Sequence, residues 1–68
     1  MSFSEKLRDL RKQKGISQRE IAVHLNISIM AYSYYERGQR EPSIDMLKNI
    51  CLFFDVSADY LIGLTDEY

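Results

Sequence analysis

The side chains with the most chemistry to offer fall in two short runs, SQRE at 17–20 and ERGQR at 36–40. Gln18, Arg19, Arg37, Gln39 and Arg40 are all hydrogen-bond donors, and three of them are permanently cationic. Amides and guanidiniums of this kind bond phosphate oxygens well. Nothing comparable points to catalysis. His24 is the single histidine and has no second His, Cys or carboxylate at metal-ligand spacing, so it reads as a surface residue. Cys51 lies between Ile50 and Leu52, reads as a small core residue, and leaves no intramolecular disulfide to form. Ser17, Ser28, Ser43 and Ser57 each stand where a helix cap is needed, which accounts for them without a nucleophilic role. There is no glycine-rich phosphate loop and no acid/base pair. The chain is therefore not expected to be an enzyme, and no catalytic residue, metal or cofactor is expected.

Charge is unevenly distributed. Residues 1–40 carry eight Lys/Arg and four Asp/Glu; residues 41–68 carry one Lys and six Asp/Glu, for a net charge of −1. Such asymmetry suggests that one surface meets a polyanion and the other does not, although a chance dipole on a solvated surface gives the same count. The 68 residues make one domain, 1–68. A chain of this size buries only about 60% of its unfolded surface, so efficient helix packing or self-association must stabilise it. Its longest apolar run falls far short of the ~20 residues of a membrane span. The N-terminus, MSFSEKLRDLRK, has no apolar stretch of the kind found in a secretion signal. A soluble, cytoplasmic protein with no membrane partner is the expectation.

Those donors must be positioned by helices. Residues 3–14 place Phe3, Leu7 and Leu10 on one face, with Ser2 and Glu5 at capping-box spacing and Gly15 as a stop. Residues 18–25 repeat the grammar with Ser17, Glu20 and an inner stripe of Ile21, Ala22 and Leu25, ending at Asn26, which tolerates the left-handed conformation. Ser28 caps a third helix, 29–37, whose two faces both carry large apolar side chains; Tyr32 and Tyr35 are assigned to the core. Pro42 and Ser43 precede 44–54, with Leu47, Ile50, Cys51 and Phe54 inward. Ser57 caps a short helix, 58–62, and the final TDEY reads as a frayed tail. No segment alternates with the period of a strand. The expected fold is all-α, a compact five-helix bundle, and two short helices joined by about three residues mark a helix-turn-helix.

The pattern ISQREIAVHLNIS…YERG, followed by PS and by FDVSADYLIGL, resembles the phage-repressor-type helix-turn-helix family, also called the xenobiotic-response-element family. The resemblance runs from residue 3 to about 65 and rests on Gln18, Ala22, Glu36-Arg37-Gly38, Pro42-Ser43 and DYLIGL at matching spacing. It implies a lambda-repressor-like DNA-binding domain, commonly a homodimer on a palindromic operator, regulating transcription from a bacterial or phage genome. It also implies that Ile29, Met30, Ser33 and Tyr34 fall at base-reading positions. Gln18, Arg19, Arg37, Gln39, Arg40 and Arg11 would then contact phosphates, with Arg11 paired to Glu36. Tyr32 stands where the family usually has Ile or Val, and a buried tyrosine needs a partner for its hydroxyl.

Ile and Met cannot form the bidentate hydrogen bonds by which amides and guanidiniums read bases, but they can pack on the thymine C5 methyl. The expected target is a thymine-rich half-site bound by a repressor of phage or mobile-element type. The alternative is a protein-interaction or antitoxin-like module, with Ile29, Met30 and Tyr34 forming an apolar patch for a partner such as an anti-repressor. Phe53, Val56, Tyr60, Leu61 and Leu64 are the expected dimer interface, unless they simply complete the monomer core. Relatives with a similar ending often continue into an effector domain.

Overall fold

The computed structural model describes residues 1–68. It contains five helices: α1 (Phe3–Lys14), α2 (Gln18–Leu25), α3 (Ile29–Glu36), α4 (Ile44–Phe54) and α5 (Ala58–Leu61). Each begins at the serine expected to cap it: the side chains of Ser2, Ser17, Ser28, Ser43 and Ser57 each accept a bond from the backbone N–H three residues on. In α1 and α2 the cap is reciprocal. The carboxylates of Glu5 and Glu20 accept in turn from the backbone N–H groups of Ser2 and Ser17, both at 3.1 Å. A satisfied N-cap is worth ~1 kcal/mol per helix, which is substantial in a domain this small.

The stops follow the same logic. Gly15 and Asn26 end α1 and α2 in the left-handed conformation, with φ of 72° and 59°. Asp55 ends α4 the same way, at φ 56°, a role in which glycine is the usual choice. Gly38 has φ 72°, and a Cβ built there would meet Ser4 Oγ at 3.5 Å. The turn after α3 therefore rests against the start of α1.

α3 packs on α1 and α2, while α4 and α5 pack on each other, α4 also on α2 and α5 on α1. Leu7, Leu10, Ile21, Ala22, Leu25, Tyr32, Tyr35, Ile50 and Leu61 form the core. Lys6 is buried with them, and its ammonium donates to the Tyr60 main-chain O at 2.7 Å while lying 4.7 Å from the Tyr60 ring centre. This polar tether joins α1 to α5.

Two expectations need correction. Leu61 is fully buried: α5 has one turn, and this side chain anchors it in the core rather than facing a partner. The final residues fold back instead of fraying. Ser57 N donates to a Tyr68 main-chain oxygen at 2.9 Å, and the Tyr68 ring meets Tyr60 edge-on at 4.7 Å.

The Tyr32 hydroxyl, a concern in the sequence, donates to Glu36 Oε2 at 2.5 Å. Arg11 Nε reaches the same oxygen at 2.6 Å, Arg11 Nη2 reaches Oε1 at 3.2 Å, and Gln18 Nε2 reaches Oε1 at 3.1 Å. Glu36 is only 4% exposed. Burial alone would raise its pKa, but the bonds from Arg11, Tyr32 and Gln18 outweigh that and hold the carboxyl below its usual 4.5. The Tyr32 phenol is pushed well above its ordinary value by burial and by the neighbouring carboxylate.

Removing Glu36 leaves Arg11 and Tyr32 without their acceptor. In urea unfolding, Glu36→Ala is expected to cost about 3 kcal/mol, the lower end for a broken buried pair because Arg11 keeps some access to water. Tyr32→Phe, which leaves the pair intact, is expected to cost about half as much. Because the folded carboxyl ionises below its unfolded value, its contribution is full above pH 4.5 and is lost as pH falls through the folded pKa. Glu36→Gln should lack that part of the acid-dependent loss.

Candidate nucleic-acid interface

Asn26, Ile27 and Ser28 join α2 to α3. The Asn26 left-handed turn sets the entry angle, and the Ser28 side chain accepts from Ala31 N at 3.0 Å to start α3 cleanly. Tyr32 and Tyr35 face the core, so the positions between them face out. Met30 is 64% exposed and Ile29 is also exposed; Ser33 and Tyr34 are half-buried. The outward face of the first turn thus presents two apolar side chains to solvent, Met30 more fully than Ile29.

Gln18, Ile29, Met30, Ser33 and Arg37 line one shallow surface of about 530 Å³. Beside it opens a polar cleft of about 440 Å³ lined by Ser4, Arg8, Arg11, Lys12, Gln18, Ser33, Glu36 and Arg37. Four cations and one carboxylate meet there, and Glu36 is already engaged by Arg11. The local field is therefore positive although the chain is slightly acidic.

Most of the expected site residues are brought together here. Gln18, Ile29, Met30, Ser33, Arg37 and Arg11 share the cleft and the adjoining surface. Tyr34 lies beside Arg37 and Arg40, 5.0 and 5.5 Å from its ring centre. Arg19 and Gln39 are exposed and line neither feature. The Arg11 role shifts: its three nitrogens bond Glu36 and the Ile16 carbonyl, leaving two of five donors for anything else. It ties α1 to α3 and to the turn before α2. Gln18 likewise spends one donor on Glu36.

Arg8 and Lys12, which the sequence does not single out, also line the cleft. A signal exists, since residues 8 and 12 are i, i+4 neighbours on the side of α1 that also bears Arg11. Lys14, by contrast, lies over the Phe53 ring at 4.9 Å, against α4.

The expected dimer residues are scattered. Phe53 lies tilted against His24 with ring centres 4.7 Å apart, Val56 packs on the core, Tyr60 is held by Lys6 and Tyr68, and Leu61 is internal; only Leu64 is exposed. Leu64 shares that exposure with Ile44 and Leu52, 78% and 79% exposed, and with Ile62 and Tyr68. Ile44 and Leu52 border an apolar groove of about 300 Å³ with Leu47, Cys51 and Ala58.

Residues 7–61 match the family model described as Helix-turn-helix. The chain belongs to the helix-turn-helix family. It is 48% identical over 60 residues to the uncharacterized HTH-type transcriptional regulator YqaE of Bacillus subtilis, covering 88% of this chain and 52% of YqaE. It is 40% identical over 63 residues to the HTH-type transcriptional activator BcrR of Enterococcus faecalis, covering 93% of this chain and 31% of BcrR. The chain thus spans about half, or less, of the length of these relatives. Among solved structures it resembles the P22 c2 repressor protein in complex with a synthetic operator, with a TM-score of 0.88 and 28% identity, covering 93% of this chain and 96% of that one. The fold is that of the phage-repressor helix-turn-helix domains. No helix is long and apolar enough to cross a membrane.

A helix-turn-helix cleft of this charge can seat a phosphodiester. Arg8→Ala and Lys12→Ala are each expected to flatten the slope of log affinity against log salt by about 0.9 for any duplex, without changing sequence preference. Lys14→Ala, on the other side of α1, should leave the slope unchanged. Titrations of labelled duplex across a salt series measure this.

Proposed function

We propose that this helix-turn-helix chain is the DNA-binding part of a transcriptional regulator, and that it places the first turn of α3 in the major groove of an operator inside the cell. The observation that carries this reading is the juxtaposition of two unlike surfaces. The exposed Ile29 and Met30 lie directly beside a cleft bearing Arg8, Lys12 and Arg37. Phosphate contacts supply affinity and register, while base contacts supply sequence. The likeness to an operator-bound phage repressor supports the same division.

Ile29 and Met30 offer no hydrogen bonds, so discrimination on this reading comes from thymine methyl groups, with Ser33 adding a polar contact. The sense of regulation we favour is repression, by occupancy of the operator, as the name of the P22 protein suggests. The activator relative shows that the same domain type also serves the opposite sense.

Binding as a homodimer to a palindrome fits this motif, with half-sites about 34 Å apart. The groove bordered by Ile44 and Leu52 supports self-association, because a lone domain gains nothing by leaving such residues in water. It lies on the α4–α5 side, whereas α3 packs on α1 and α2. The acidic second half of the chain, repelled by phosphate, directs the α1–α3 side to the duplex. Leu52→Glu is expected to convert a concentration-dependent mass in sedimentation into that of the monomer.

A second reading has one observation in its favour. A Met-bearing apolar patch also suits a protein partner, as in an antitoxin-like module or an anti-repressor complex. The experiment that separates them is selection of bound duplexes from a random pool, followed by replacement of each selected thymine with uracil. Loss of one packed methyl should weaken binding about fourfold, at ~0.8 kcal/mol per buried methyl. Affinity that is indifferent to every such replacement contradicts methyl reading, and a pool that yields no duplex favours the protein partner.

A further inference from the structure

Two guanidiniums converge on one aromatic ring at the C-terminal end of α3. The central carbon of Arg37 stands 5.0 Å from the Tyr34 ring centre and that of Arg40 5.5 Å. Arg37 follows the last helical residue; Arg40 comes from the loop beyond Gly38, whose left-handed backbone turns the chain back. Gln39 N donates to the Tyr34 carbonyl at 2.9 Å and holds that loop against the helix. Neither arginine has a carboxylate partner, since the one ion pair in the chain is Arg11 with Glu36.

The ring's π system attracts both guanidiniums and holds them within one short stretch of surface. An anion placed between two such cations is attracted by both. Arg37 also lines the cleft and the shallow surface described above, so the pair borders the face proposed for the duplex.

We propose that the Tyr34 ring is a platform presenting Arg37 and Arg40 together to neighbouring phosphates of one DNA strand. Tyr34 is then a positioning residue for a phosphate clamp. Arginines held in place before the encounter lose less freedom on binding than arginines free in solvent. The clamp adds affinity without sequence preference. The inference rests on the DNA-binding reading above.

The test needs no operator, because phosphate contacts are indifferent to sequence. Fluorescence anisotropy of a labelled mixed-sequence duplex, titrated with the chain across a sodium chloride series from low ionic strength, gives affinity and salt slope. Tyr34→Phe keeps the ring and should match the wild type within about twofold in affinity, with an unchanged slope. Tyr34→Leu should lose about tenfold and flatten the slope by about one. In an Arg37→Ala/Arg40→Ala background, Tyr34→Leu should have no further effect. Thermal melts confirm folding, and Tyr34→Gln, suited to a half-exposed helical site, must repeat the loss seen with leucine. A leucine variant with the wild-type slope, or a phenylalanine variant as damaged as leucine, overturns the platform alone. A wild-type chain that binds no duplex overturns the DNA reading and the platform with it.

Discussion

The Glu36 carboxylate is the point on which this molecule turns. It belongs to α3, yet its donors come from α1 through Arg11, from α2 through Gln18 and from α3 itself through Tyr32. A buried anion short of partners is costly, so all three helices are held where each donor can reach it. Arg11 extends the connection by bonding the Ile16 carbonyl in the turn before α2. The helix-turn-helix is therefore fixed from inside by directed bonds, in a domain too small to rely on core volume alone. No buried side-chain polar atom lacks a partner, which is what a satisfied network of this kind requires.

This constraint accounts for the character of α3. Its inward side contains Tyr32, Tyr35 and Glu36, and its outward side Ile29 and Met30, so hydrophobicity does not tell the two faces apart. Register is set by the Glu36 carboxylate, which must face the Arg11 guanidinium of α1 and the Gln18 amide of α2. The outward residues are then free to be chosen for what they bind. The same division appears at the scale of the whole chain: cations gather on the α1–α3 side, whereas the C-terminal half combines exposed apolar residues with acidic ones.

Much of this was legible in the sequence because it is local. Serine caps, capping-box glutamates and glycine stops act within a turn of their own position, and the helix boundaries follow to within a residue: α3 ends at Glu36 and α5 at Leu61, one residue short in each case. The Arg11–Glu36 pair was legible only through family resemblance, since 25 residues separate the partners. What could not be read depends on distant packing. Leu61 and Leu64 look alike in sequence, but one is buried and the other exposed. Lys6 sits three residues after Phe3 on the inner stripe, and only the Tyr60 carbonyl across the fold makes its burial tolerable. Asp55 in a left-handed stop and the return of Tyr68 to Ser57 follow from no short pattern. Arg8 and Lys12 gain meaning only when α3 brings Arg37 to the same cleft.

The central claim is that the network around Glu36 presents the start of α3 and its cationic flank as a preformed surface for a duplex. Amide chemical-shift mapping of the isotope-labelled chain, titrated with duplex at low ionic strength, tests it most directly. The account expects the largest shifts at Gln18, at residues 29–33 and at residues 37–40, with the α4–α5 groove quiet at constant protein concentration. Shifts centred on Ile44 and Leu52 while α3 stays silent, or widespread changes at Tyr32 and Glu36 showing that the fold must rearrange to bind, would contradict it.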